Sequence, residues 1–378
     1  MIALVAILAV SVLGIVFSLI GAVKLRLSER AGLSDAQFGG LISTLMFTSM
    51  IVVLAIGPLV DAWGHKPFAI LGFLLSGAAI SLFAFLRSYK ALVVGAMLLG
   101  VGGMCVNTVG NTLMPQVLFG GQNANAALNL GNMFFGLGAF LTPFLAGFLI
   151  QKIGYSKTIT IVALVALVPV IFAMTTTTYP PQPPSGFDLG AAFGLLANPI
   201  ILAAALALFC YVGLEASMGG WISSYLTSIG LSESKANTTL SGFWIGIMVA
   251  RLITAGLVNA ANGPTVITAL ALVAAATIFL MVASKSKGMG ATAVLLTGLA
   301  FGPIFPTIVG VTFSKIVPEL HGSAFAIIFA IGLLGASTIP AAIGLYARGK
   351  SIQKSLVIAG VTALLLFAVA IYMGRLAA

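Results

Sequence analysis

Residues 2–23 read IALVAILAVSVLGIVFSLIGAV, an apolar run without one charged side chain. A helix of roughly 20 such residues crosses the hydrocarbon core of a bilayer, and comparable runs recur to the end of the chain. Of the 378 residues, 60% are hydrophobic and 6% charged. A typical soluble domain carries about 25% charged residues, and a soluble fold could not hide this much apolar surface. The bilayer is therefore the solvent. In lipid each span must satisfy its own backbone hydrogen bonds, and the short alternating segments of a β-barrel do not occur here, so the spans are helices. The first run is too long for the apolar region of a signal peptide and follows no basic stretch; it reads as the first span.

Breaking the hydropathy at charged, Pro and Gly clusters gives spans near 2–23, 37–57, 67–86, 90–114, 125–150 and 156–174. The polar stretch TTTTYPPQPPSGFDLG, residues 175–190, cannot continue a helix and reads as a linker. Six more spans follow near 198–226, 236–258, 264–283, 289–314, 321–347 and 352–375. The expected organisation is an N-terminal six-helix bundle at 1–174, a linker at 175–197 and a C-terminal six-helix bundle at 198–378.

The halves share residues at nearly one offset. Gly32-Leu33-Ser34-Asp35 matches Gly230-Leu231-Ser232-Glu233, and Leu59-Val60-Asp61-Ala62 matches Leu257-Val258-Asn259-Ala260. Val109, Gly110 and Thr112 match Val309, Gly310 and Thr312; Gly138, Ala139 and Pro143 match Gly335, Ala336 and Pro340. An even separation of six spans points corresponding helices the same way, a parallel repeat about an axis along the membrane normal that encloses a central cavity. The fold class expected is an all-α polytopic membrane protein, with 12 transmembrane helices in two pseudo-symmetric six-helix bundles.

Between the second and third spans stands Gly57-Pro-Leu-Val-Asp61-Ala-Trp-Gly64-His65-Lys66. This resembles the major facilitator superfamily motif G-x-L-x-D-x-x-G-R-K, with His65 in place of the usual Arg. The resemblance covers the whole chain through the 6+6 layout and implies a rocker-switch transporter in which Gly57, Asp61, Gly64 and Lys66 act in conformational change. Glycines let two helices meet closely, and a carboxylate near helix N-termini can latch one closed arrangement; Asp61 is the latch candidate, while its counterpart Asn259 has lost the charge.

A second resemblance runs from Cys105-Val-Asn107-Thr-Val-Gly-Asn111 through Ala127-Leu-Asn129-Leu-Gly-Asn132-Met-Phe-Phe135-Gly-Leu-Gly-Ala139, and it is to the fucose:proton symporter family. Tyr211-Val-Gly-Leu-Glu215 is similar to the Y-x-G-x-E segment of its sugar-transporting members. Three departures stand out: Asn107 occupies the place of the family's acid in span 4, Phe135 that of its second amide in span 5, and span 1 has no central acid. Arg251 falls where the family carries a G-R-F arginine, which implies a cytoplasmic gate or a substrate contact.

Of seven acidic residues, Glu215 alone lies mid-span. A carboxylate there costs several kcal/mol unless paired, protonated or wetted, so it is a functional candidate by default. It could accept hydrogen bonds from sugar hydroxyls, take up a coupling proton or coordinate a cation; the bland alternative is a protonated residue tying helices together. Asn107 and Asn111, four apart, and Asn129 and Asn132, three apart, each share a helix face. Neutral amides supply donor and acceptor together, which suits a polyhydroxylated solute; interhelical structural amides are the alternative. Tyr211 and Trp221, near Glu215, could pack on a sugar ring. Glu215 is expected nearer the midplane than Arg251, so the two are read as unpaired.

A net charge of +10 is scattered through short loops, and anionic lipid headgroups, not nucleic acid, are the natural partner. With the N-terminus cytoplasmic, as the motif implies, thirteen Lys and Arg residues fall outside and four inside, the opposite of the positive-inside rule. Cys105 and Cys210 lie in apolar runs without metal-site spacing. No ATP-binding motif appears, and no Ser/His dyad, paired aspartates, HExxH or sizeable soluble domain, which argues against a non-transporting receptor or intramembrane enzyme. The expectation is a monomeric secondary transporter in a bacterial inner (cytoplasmic) membrane. It carries a monosaccharide-like solute and has no cofactor beyond a coupling proton or cation; a drug or metabolite exporter of the same fold is the alternative.

Overall fold

The computed structural model describes residues 1–181, 188–348 and 350–377, and among these there is no strand. Among the described residues, twelve helices are long and apolar enough to cross a membrane. They are α1 (Ile2–Ala22), α2 (Asp35–Trp63), α3 (His65–Phe85), α4 (Tyr89–Val117), α5 (Ala124–Ile153) and α6 (Tyr155–Thr175) in the first half of the sequence. The second half holds α7 (Pro199–Ser228), α8 (Glu233–Ala255), α9 (Gly263–Ala283), α10 (Lys287–Phe313), α11 (Pro318–Ala347) and α12 (Ile352–Ala377).

The repeated Gly-Leu-Ser-acid tetrapeptide is the start signal of the second span in each half. Gly32 and Gly230 turn the chain at φ 62° and 93°, conformations that glycine alone adopts cheaply. Ser34 and Ser232 then stand at the N-caps of α2 and α8, and Ser34 forms a capping box with Gln37. Packing repeats as well. The pairs α3–α4, α2–α4 and α3–α6 of the first half recur six helices later as α9–α10, α8–α10 and α9–α12. A methyl on Gly138 would strike the carbonyl of Ser11, and one on Gly335 would strike the carbonyl of Phe209. Both contacts join the fifth span of a half to its first, at the offset read from the sequence.

Contacts divide the chain into two compact units, and the division cuts through α5 and α11. The first unit is Met1–Gly121, Phe134–Ala192 and Pro318–Ala326; the second is Gln122–Met133, Phe193–Val317 and Ile327–Ala378. In the first, α4 is the core helix, buried without a break from Gly102 to Pro115. In the second, α10 has that place but is broken into helical stretches Lys287–Phe301 and Ile304–Phe313. Pro303 and Pro306 lack the N–H that would close the ladder there.

Candidate functional site

In the second unit the break in α10 creates the site. Pro306 cannot donate to the carbonyl four residues before it, which frees the Gly302 carbonyl. Glycine at 302 also lets α8 approach, since a methyl would strike the carbonyl of Ile247 and the side chain of Ala250. Arg251 fills the opening. Its Nε donates to the Gly302 carbonyl at 2.9 Å, its Nη1 to the Asn132 carbonyl of α5 at 2.9 Å and its Nη2 approaches Glu215 Oε1 at 3.5 Å. Tyr211 donates its hydroxyl to the same Oε1 at 2.9 Å.

Glu215 and Arg251, expected unpaired from their depths, meet as a pair: the reach of the arginine side chain spans the difference in rise, and its charge, buried at 3% exposure, needs an anion. Glu215 is 18% exposed, and both of its bonds fall on Oε1.

Around this pair the sequence reading missed an aromatic wall, because isolated Phe residues on apolar helices carry no signal of their own. Tyr211 tilts against Phe301 and Phe305 at centroid distances of 5.7 and 6.3 Å. Phe305 meets Phe329 edge-on, and Phe301 meets Phe243 in the same way. Asn129 donates to Thr307 Oγ1 at 3.1 Å and to the Asn125 carbonyl at 2.9 Å, and Asn132 donates to the Leu128 carbonyl at 3.0 Å. The side-chain oxygens of Asn125 and Asn129 are buried acceptors without a protein donor. Asn125 and Thr307 also escaped the sequence reading; Asn125 continues the Asn129 face one turn earlier. Trp221 lies about 120° around α7 from Glu215 at 3.6 residues per turn. Its ring nitrogen donates to the Pro340 carbonyl at 3.2 Å.

The other amide pair belongs to the first unit. Asn111 donates to the side-chain oxygen of Asn107 at 2.8 Å and to its carbonyl at 3.0 Å, and both residues are buried.

The first unit also shows what the Gly57–Lys66 stretch does. Asp61 accepts from the Gly322 N–H at 2.8 Å, the Ser323 N–H at 2.6 Å and the Ser323 hydroxyl at 2.7 Å, at the start of α11. Gly57 allows this approach, for a methyl would strike the Gly322 carbonyl. Gly64, at φ 79°, makes the turn into α3. Lys66 donates to the Thr176 carbonyl at 3.2 Å and lies over the Tyr179 ring at 5.9 Å. Burial pushes the Tyr179 phenol up to about 12, so the ring stays neutral. The side chain of Asn259, the counterpart of Asp61, accepts from the N–H groups of Ala261 and Asn262 in its own turn, past the end of α8 at Ala255.

The sequence profile of the Major Facilitator Superfamily matches residues 3–340. A glucose/galactose transporter of Brucella abortus biovar 1 (strain 9-941) is 26% identical over 308 residues, covering 77% of this chain and 74% of the relative. The Saccharomyces cerevisiae bypass of stop codon protein 6 is 24% identical over 292 residues, covering 68% of this chain and 58% of its own. Among solved structures, the E. coli fucose:proton symporter FucP superposes with a TM-score of 0.80 at 19% identity, covering 100% of both chains. The proton:xylose symporter XylE also gives 0.80, at 14% identity, over 100% of this chain and 95% of its own.

Proposed function

This chain belongs to the Major Facilitator Superfamily, and from that premise we propose that it carries a neutral monosaccharide across a bacterial cytoplasmic membrane by alternating access. The observation that supports this best is the Tyr211–Glu215–Arg251 cluster, a partly exposed carboxylate against a buried guanidinium and an aromatic wall. With Oε1 committed to Tyr211 and Arg251, Glu215 offers Oε2 to a sugar hydroxyl, and the ring faces nearby offer apolar packing. The same unit adds Asn129, Asn132 and Trp221 as candidate contacts. Relatives named for glucose, galactose, fucose and xylose support the same class of solute.

Glu215 is also our candidate for the coupling ion. A proton on its carboxylate removes the anion that Arg251 needs in a buried setting, so proton uptake and separation of the pair are linked. Gly57, Asp61, Gly64, Lys66 and Arg251 are then the conformational residues: Asp61, Lys66 and Arg251 hold backbone of neighbouring segments, Gly57 permits the close approach to Gly322 and Gly64 makes the turn into α3.

Counterflow into proteoliposomes tests the reading. Labelled D-glucose, D-galactose and L-fucose are offered with and without a pH gradient, and saturable exchange of at least one sugar is expected. Exchange of none of them, with the protein verified as folded, would overturn the assignment of a sugar.

A further inference from the structure

The chain of 378 residues contains two histidines, and both flank the Asp61 tie in the first unit. His65 opens α3 four residues after Asp61. His321 immediately precedes Gly322, whose N–H Asp61 accepts. The two imidazoles act on each other electrostatically. Transport of a sugar does not call for either of them.

The hydrogen bonds assign the proton on His65. Thr112 uses its hydroxyl hydrogen on the Thr108 carbonyl at 2.7 Å, so at 3.1 Å it accepts from His65 Nε2, and Nδ1 is the nitrogen left to take a second proton. A cavity of about 60 Å³ reaches this place, lined by Asp61, His65, Gln116, Glu319 and Pro180 among others. At about 30 Å³ of liquid per molecule that volume admits roughly two waters, a route for protons to Asp61 and His65. The charged and titratable groups facing the cluster are Asp61 on α2, Lys66 on α3, Tyr179 beyond α6, and Glu319 and His321 at the start of α11. Lys66 is turned to the Thr176 carbonyl and the Tyr179 ring, and Glu319 acts on Asp61 as a like charge.

We propose that the two histidines make the Asp61 tie proton-sensitive: it holds α11 while both imidazoles are neutral and loosens when either becomes charged. A charged His321 stands at the positive end of the α11 dipole, which opposes it. Two imidazolium rings repel one another. A charged His65, which lines the same cavity as Asp61, also competes for a carboxylate whose two oxygens already serve Gly322 and Ser323. Glu319 offsets part of the repulsion but leaves the competition for Asp61 in place. The sign follows from linkage: the neutral rings favour the tied state, so the tie is complete above the ordinary imidazole value and weakens progressively as pH falls below it.

Hydrogen exchange of the full chain in nanodiscs, followed at Gly322 to Ala326 and referenced to amides of α9, reads this directly. Wild type should lose about ten-fold in protection between pH ~7.5 and ~5.5, and the double variant His65→Gln/His321→Gln should change by less than about two-fold. Asp61→Asn should be weakly protected at both values. The single variant His65→Gln keeps a donor for Thr112 and should show a reduced response, so the proposal stays testable if the double variant fails to fold. An unchanged acid response in the histidine variants, or no response in wild type, would overturn the proposal.

Discussion

Asp61 and Arg251 stand on corresponding helices, the second span of each repeat, and each holds backbone of a fifth span. Asp61 accepts two N–H groups from α11 in the first unit, whereas Arg251 donates to a carbonyl of α5 in the second. The first tie completes itself, because a helix N-terminus supplies both donors and a favourable dipole to an anion. A buried guanidinium gains no such field from scattered carbonyls and needs a counter-ion, and Glu215 provides it. The second span of each repeat thus carries a fastening in one unit and, at a different position along the helix, a partly exposed charged pair in the other.

The contrast can be broken most strongly at Arg251. Arg251→Met leaves Glu215 buried and unpaired, and should cost about 3–5 kcal/mol in stability. Thermal unfolding in detergent measures it, and Glu215→Gln/Arg251→Met should recover most of the loss. A single variant as stable as wild type would mean the pair is not a charge-compensated unit. Next comes Gly57→Leu, which drives a side chain into the Gly322 carbonyl and Ala326 and should cost about 1–3 kcal/mol by the same measurement. Asp61→Asn keeps a side-chain carbonyl but loses the charge and one acceptor, for about 1–2 kcal/mol and faster exchange at Gly322 and Ser323.

Asn259→Asp sharpens the comparison from the other side. It restores the charge at the repeat position, but α8 has already ended at Ala255, so a change below about 0.5 kcal/mol is expected. A larger effect would show that the charge alone, without a helix to carry it across, makes the tie.

Much of this was legible in the sequence. The twelve spans follow from apolar runs alone, and the parallel repeat from residues such as Gly138 and Gly335, whose role is close contact with no substitute. Gly57 and Asp61 were legible because motif spacing fixes which residues share a turn. The Arg251–Glu215 pair was not. Thirty-six positions separate them on consecutive helices, and their meeting depends on a helix break at Gly302 whose consequence, a freed carbonyl, shows only once α8 lies against it. The Phe301, Phe305 and Phe329 wall was hidden for a related reason: on a helix apolar all round, periodicity does not say which face meets a site.

The reading rests on Glu215 as the group where solute and coupling ion meet, and Glu215→Gln in proteoliposomes tests it most directly. Sugar counterflow should persist with weaker affinity, because the amide still accepts a hydroxyl, while accumulation driven by a pH gradient should disappear. Accumulation as strong as in wild type would contradict the account.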